Sequence, residues 1–490
     1  MRYFNTTKHN YPLTILLVLL LQLSCADLEE NPIGLSSPLS FYKTPEQCEA
    51  VYAGSMNALF QTWGGYQFPL GLPDGQNYGS DLNFTETSFN DYWAWHYKAI
   101  SNINPVIKAI KENSLEGFPQ DVINDVEGQG KFLRAFNYFY LVRLYGKIPY
   151  LDETTPDPVS TPLTPESRLE IEEVYTKIVA DLQFAADNLF DYDGSAPGKP
   201  NKWMAKAMLS KVYLTMATAP LNKAENYAKA LDVADDVIVN GPYKLEQDLN
   251  SIFNTSNRQN LEMIFAFYST YSVETGAEYM PGNVWAPSEW EGWSGGAVIP
   301  TWLENFPQQP RRKAYVLEQW ISNIYDPSSS LIDWQSSADG VPYVQKFNYP
   351  NLTLEEQVGG GPSGIEMPIL RYPDVLLIYA EAANMANNGP TQLAVDRINA
   401  VIERANGGPG GPGEEPLATI TMSKEAFDAK VIEERNFELC FEGDRYFDVL
   451  RKRLLEQVNL PDNAQGFDEN DYLLPIPPID ALKIGQNQGY

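Results

Sequence analysis

The stretch RYPDVLLIYAEAAN, Arg371–Asn384, decides how most of the chain is read. Tyr372, Val375, Leu376, Tyr379 and Ala383 recur at the i, i+3, i+4, i+7 spacing that lays apolar side chains along one helix face. Pro373 stands where a first helical turn tolerates it, because the N–H that proline lacks would find no intrahelical partner there. An earlier stretch repeats the pattern. Phe132, Ala135, Phe136, Phe139 and Tyr140 form one stripe, stopped by Gly146 and Pro149. Further helical periodicity covers Glu46–Phe60, Trp93–Lys111, Arg168–Leu189, Trp203–Met216, Ala224–Val239, Leu393–Ala405 and Lys424–Leu454, the last broken at Gly443 and Asp444.

Several of these helices fall in adjacent pairs, with alanines at close-packing positions, as in AKAMLSKVYL, Ala205–Leu214. Paired helices with small residues in the seam predict a mainly α architecture, a tetratricopeptide-like superhelix, although the full repeat consensus is absent. Two regions escape the pattern. Residues 61–90 are rich in Gly, Asn and Asp, and residues 240–370 are long, aromatic and punctuated. Strandlike patches such as Met263–Phe267 predict small β-hairpins at most. The run GGPGGPGEEP, Gly407–Pro416, reads as an exposed, passive loop.

The N-terminus reads differently. Seven apolar residues, Ile15–Leu21, follow Arg2 and Lys8 and precede Ser24 and Cys25. A bilayer span needs about 20 apolar residues, so this run is too short, and its basic flank fits a signal peptide better than a core helix. Cleavage before Cys25 would make that residue the mature N-terminus and a site for acylation; Gln22 stands where the usual lipoprotein box has leucine. Removing residues 1–24 takes away Arg2 and Lys8 and no acid, moving the net charge from −29 to −31. So acidic a surface repels nucleic acid and anionic lipid.

Besides Cys25 the chain has only Cys48 and Cys440, which make no disulfide framework, and sequence leaves open whether they pair. His96, the one histidine left after cleavage, reads as an ordinary surface or cleft residue. Its isolation excludes histidine-based zinc sites and most Ser-His-Asp triads. Carboxylate pairs such as Glu289 with Glu291, or Glu433 with Glu434, arise by chance among 64 acids and carry no glycosidase motif. No cofactor, metal or nucleotide signature is present.

The aromatic residues carry the strongest binding signal. Trp285, Trp290 and Trp293 lie within YMPGNVWAPSEWEGWSGG, Tyr279–Gly296, among Gly, Pro and Ser rather than aliphatic core residues. Trp93 and Trp95, two apart, point to different faces of a helix. An indole can cover the C–H face of a sugar while nearby polar groups such as Asp81, Asn83, Asn283, Ser288 and Glu289 take its hydroxyls. Loop tryptophans can equally pin a loop to the body, and both readings stand at this point.

Read in order, RAFNYFYLVRLYGKIP (Arg134–Pro149), RYPDVLLIYAEAAN, EERNFELCFEGDRYFDVLR (Glu433–Arg451), YLLPIPPID (Tyr472–Asp480) and the terminal QGY resemble the SusD/RagB family of outer-membrane nutrient-binding lipoproteins. The family's C-terminal asparagine-proline pairs are replaced here by Gly485, Gln486 and Gln488. The resemblance implies a signal peptide over 1–24, an N-terminal helical region over 25–240, and a C-terminal region over 241–490 whose loop-rich insertion spans 241–370. It also implies a binding protein rather than an enzyme, anchored to the outer membrane through Cys25 and facing the cell exterior. Its partner would be a SusC-type TonB-dependent transporter, and its ligand an oligosaccharide or, as in a RagB-like minority, a peptide. The quoted motifs then read as scaffold, with Arg445–Asp448 tying two helices together. Trp93 and Trp95, in a pre-helix stretch, and the 279–296 loop are the expected ligand contacts.

Overall fold

Apolar stripes of this kind fold by laying each helix on the next. The computed structural model describes residues 41–62, 75–76, 90–155, 162–191, 198–257, 260–267, 285–347, 367–458 and 467–490. Helices α1 (Pro45–Thr62), α2 (Asn90–Lys111), α3 (Gln120–Tyr145), α4 (Ile171–Asn188), α5 (Lys202–Ala217) and α6 (Asn226–Asn240) pack each against its successor. Beyond the two short helices α7 (Pro300–Glu304) and α8 (Pro310–Tyr315), the array resumes. Helix α9 (Tyr372–Ala386) packs on α5 and α6, and then receives α10 (Gln392–Ala405) and α11 (Lys424–Glu438). Helices α12 (Asp444–Arg451) and α13 (Pro478–Ile484) complete the described set. The fold is mainly α, a superhelical stack of helix pairs. Ala205, Ala207, Ala230, Ala234, Ala380 and Ala382 are all fully buried in it, and the missing side-chain bulk lets neighbouring axes approach.

Several helix boundaries have a local cause. Asn201 caps α5, its side chain accepting from the backbone N–H of Trp203 (2.9 Å) and Met204 (3.0 Å). Pro373 sits in the first turn of α9. Gly443, at φ 86°, separates α11 from α12, a left-handed position that a side chain would strain.

Among the described residues the strands come in four two-stranded antiparallel sheets, none of them large. β1 (Ile148–Pro149) pairs with β2 (Arg168–Leu169), β4 (Val316–Leu317) with β7 (Tyr343–Val344), and β5 (Gln319–Ile321) with β6 (Leu331–Asp333). The Met263–Phe267 segment is β3, but it forms no local hairpin. It pairs with β8 (Met367–Arg371), about a hundred residues on, and every residue of both strands is buried. Burial on both faces explains the unbroken apolar run. The pairing also delivers Arg371 directly into the start of α9.

The quoted motifs meet around buried charge. Arg371 pairs with Glu262 (2.5 Å), Glu438 (3.0 Å) and Glu442 (2.6 Å), and Arg404 pairs with Glu262 and Glu438. Arg311 contacts Glu415, Glu434 and Glu438, with all four side chains fully buried. A second lattice joins Lys211 to Asp374 and Asp444, Arg435 to Asp374 and Asp448, and Arg451 to Glu381 and Asp448. Asp448 thus ties α11 to α12, as expected of the Arg445–Asp448 stretch. Glu381 and Glu438 are held well below the usual carboxylate range. Burial pushes each upward, and the surrounding guanidinium and ammonium groups overcome it.

Two expectations need correction here. His96 lies in the core, 1% exposed, its Nδ1 2.8 Å from Asn137 Oδ1 and its ring stacked on Tyr140. Burial pulls its pKa down to about 4, so it is neutral in the fold. Glu415 belongs to the glycine-proline loop that reads as passive, yet it is buried against Arg311 and Lys430, because Asn406 folds the loop back on itself.

Candidate functional site

The 285–347 segment strings α7, α8 and the short strands β4 to β7 together with turns, and is stitched to α11. Its tryptophans divide into two kinds. Trp285 is 6% exposed and packs its ring 5.2 Å from Phe347. Trp290 is 5% exposed, and its Nε1 donates to the carbonyl of Ile321 (2.8 Å). Trp293 is 57% exposed. A buried indole and an exposed one thus stand three positions apart.

Tight turns produce that division. Glu291 and Ser294 adopt left-handed φ values of 59° and 56°. Between them, a Cβ at Gly292 would lie 2.2 Å from the Ala286 side chain, so only glycine fits. The Glu289 carboxylate accepts from Trp320 Nε1 (3.3 Å) and from the backbone N–H of Ala338 (2.7 Å). Ser294 Oγ and Tyr343 Oη both donate to Asp339. Burial pushes Asp339 up, but hydrogen bonds from Tyr343, Ser294 and Ser288 outweigh it and hold the carboxyl below its ordinary value. An ionised Asp339 is what fastens the loop.

Elsewhere on this segment the exposed groups are mixed. Tyr325, 53% exposed, donates through Oη to Glu291 (3.2 Å), and Leu331 on β6 is 64% exposed. Neither stood out in the sequence. Tyr325 immediately precedes a run of Asp, Pro and Ser (Asp326–Ser330) that offers no periodicity, and only the alternation of β5 and β6 hints at a presented hairpin.

The other predicted contacts scatter. Trp93 is buried at 5%, its ring against Tyr97 (4.8 Å) and Tyr145 (5.0 Å). Trp95 is half-buried, with Lys98 Nζ 4.4 Å from its ring centroid. Both lie within the first turns of α2 rather than before the helix, which begins at Asn90, and this is why one indole points into the stack. Glu289 spends its oxygens on the loop itself. Asp81, Asn83, Asn283 and Cys25 lie outside the described residues. Of residues 63–89 only Gly75 and Gln76 are described, and Gln76 is clamped to α11. Its Nε2 donates to the Asn436 side chain (2.8 Å), and its Oε1 accepts from the N–H of Phe441 (3.1 Å). Among the described residues no helix is long and apolar enough to cross a membrane, and no cluster of three metal-ligating side chains occurs.

Comparison with known proteins places this architecture. The model of the SusD family matches residues 279–474, and one described as starch-binding, associating with the outer membrane, matches residues 67–214. SusD-like protein P2 of Formosa agariphila is 30% identical, over 98% of this chain and 99% of its own length. The chain belongs to the SusD family. A SusD homologue from Bacteroides thetaiotaomicron superposes with a TM-score of 0.75 at 21% identity, covering 92% of this chain and 98% of that one. Surface glycan-binding protein A from the same species gives 0.68 at 19% identity, covering 91% and 100%. Within a SusD fold so described, the ion-pair lattice is the frame, and the segment from Trp285 to Phe347 is the irregular face built on it.

Proposed function

We propose that this protein is a cell-surface glycan-binding lipoprotein that captures oligosaccharides and delivers them, uncleaved, to a SusC-type TonB-dependent transporter in the outer membrane. The observation that carries this reading is Trp293, a presented indole on a loop whose other two indoles are pinned. An aromatic plate beside a carboxylate and a phenol, here Glu291 and Tyr325, suits a sugar ring with its apolar face and its hydroxyl rim. Membership of the SusD family supports it, as does the fold shared with a surface glycan-binding protein. Trp95, Asp81 and Asn283 remain proposed as further contacts. Trp285, Trp290 and Glu289 are assigned to shaping the site rather than touching ligand, and Trp93 to the helical core.

Anchoring is proposed through an acylated Cys25, the first residue after cleavage. Acyl chains contribute about 0.8 kcal/mol per buried CH₂, so several chains hold where one would exchange. A mass spectrum of the mature N-terminus checks it; an unmodified Cys25 would refute the anchor.

Titration against a panel of plant, host and microbial glycans tests the central reading, with heat expected for at least one and no new products on prolonged incubation. A second reading is favoured by the burial of Trp285 and Trp290, which shrinks the aromatic surface available to sugars. It makes the ligand a peptide on the same face. Silence across the glycan panel together with saturable peptide binding selects that reading.

A further inference from the structure

On the helical body, sharing no residue with the Trp293 loop, lies a cavity of about 190 Å³. It is bounded by the end of α3, the start of α4, the segment after α5, and α12 with the turns that follow it, and it opens to solvent. For scale, a cavity of about 150 Å³ lined by aliphatic and aromatic side chains accepts benzene. Its wall is mostly apolar, with Val142, Ile171, Pro220, Leu450 and Leu473 among the lining residues. One charged group in that wall stands apart. The Arg143 guanidinium is stacked between the rings of Phe139 (3.7 Å) and Phe447 (3.5 Å), with Tyr140 at 4.5 Å. Its Nε donates to the carbonyl of Phe139 (2.9 Å). Tyr140 also hydrogen-bonds the guanidinium, so the N–H groups left over from Phe139 and Tyr140 are those that Arg143, a lining residue, can offer to the cavity.

Arg134 on the same helix, and Arg451 across the cavity, each carry carboxylates in ion-pair contact. Arg143 has none among the described residues. Its nearest acidic influence, Asp444, is already paired with Lys211. Burial pulls the Arg143 guanidinium below the ordinary arginine value, while Tyr140, Tyr175 and Asp444 oppose it only in part. A half-buried guanidinium with no carboxylate partner among the described residues is well suited to receive a planar carboxylate through N–H···O bonds. The mouth carries Arg453, which pairs with the exposed Glu469 and lies 3.4 Å over the Tyr472 ring.

We propose that this cavity is a binding site for a one-ring carboxylate, the ring filling the apolar space and the carboxylate accepting from the Arg143 N–H groups. The site selects charge and size together. A neutral ring lacks the ion pair, and a two-ring acid exceeds the volume.

Isothermal titration of the full mature chain with benzoate, and with benzyl alcohol as the neutral counterpart, reads this directly. Benzoate should bind at least about tenfold tighter than the alcohol, the margin of a charge-assisted contact. Arg143→Met, which keeps an unbranched apolar stem between the rings, should erase that margin. Leu450→Trp leaves Arg143 in place and fills the cavity, so it should abolish benzoate binding with the far-ultraviolet spectrum unchanged; it decides the matter if Arg143→Met does not fold. Equal binding of benzoate and benzyl alcohol, no binding of either at millimolar concentration, or full benzoate affinity in Leu450→Trp would each overturn the proposal.

Discussion

The buried lattice around α9, α11 and α12 and the loops from Trp285 to Phe347 both concentrate carboxylates and aromatic rings, but they use them in opposite ways. In the lattice, Glu262, Glu381, Glu434 and Glu438 are fully buried, each with a basic partner. They hold together elements that are far apart in sequence. In the loops, Glu291, Trp293 and Tyr325 face solvent, on turns fastened from beneath by Trp285, Trp290, Glu289 and Asp339. The same residue types are frame where charges are matched and enclosed, and the proposed binding surface where they are left in water. Substitutions that treat the two regions differently separate these roles.

The largest effect is expected at Arg371. Its replacement by Met leaves Glu262, Glu438 and Glu442 facing one another with one cation fewer. Breaking a buried pair by removing one partner costs about 3–5 kcal/mol. A fall of that size in urea-unfolding stability is the expected result; a fall below about 1 kcal/mol, the range of an exposed pair, would mean that the lattice is solvated.

Next comes pH. His96 is neutral in the fold, with a pKa of about 4 against an ordinary value of 6.5. Between those values the unfolded chain binds a proton that the fold refuses. Stability is therefore intact above pH 6.5 and is lost as pH falls toward 4. The shift corresponds to about 3 kcal/mol. Carboxylates titrate in the lower part of that window as well, so the measurement is the difference between wild type and His96→Gln. That difference should shrink steadily from pH 7 to pH 4; a constant difference removes the histidine from the acid response.

How much of this contrast can be read in advance depends on the kind of force involved. Apolar periodicity is local, so Tyr372, Val375, Leu376 and Tyr379 announce α9 before any partner is known. Buried charge is not local. Arg371 and Glu438 look like solvated residues until β3 and β8 bring distant segments together, and only their place in a recognisable motif marks them as frame. Glu415 shows the same limit more sharply, since its glycine-proline neighbours suggest an idle loop while its carboxylate sits on Arg311. The tryptophans were legible as a group and not one by one. Trp290 and Trp293 share similar neighbours in sequence, and the turn at Gly292 that separates them depends on contact with Ala286. For Trp93, two positions from Trp95, the direction of burial depends on where α2 starts.

A smaller loss of stability is expected at Trp290. Replacing it with Phe keeps most of the packed ring but deletes the Nε1 donor and leaves the Ile321 carbonyl without it. A typical net hydrogen bond contributes about 0.5–1.5 kcal/mol. The loss should be confined to the loop, so faster amide exchange across residues 286–296, with unchanged exchange in α9, is the signature. Uniform acceleration would place Trp290 in the frame instead.

The smallest effect on stability and the largest on binding should coincide at Trp293. Its ring is more than half exposed, so Trp293→Ala removes little buried surface and should alter unfolding stability by no more than about 0.5 kcal/mol. If the indole is the plate on which a ligand ring stacks, the same change removes its main apolar contact, and affinity for the bound glycan should fall by about tenfold or more, equivalent to about 1.4 kcal/mol. Trp290→Phe should show the reverse order, a clear loss of loop protection with affinity reduced only a few-fold through misplacement of Trp293. The pair works as a cross, because stability and affinity rank the two variants oppositely only when one tryptophan fastens the loop and the other meets the ligand. Equal loss of affinity in both would make the loop a single packed unit. No loss in Trp293→Ala would move the binding surface elsewhere, with Trp95 the next indole to test.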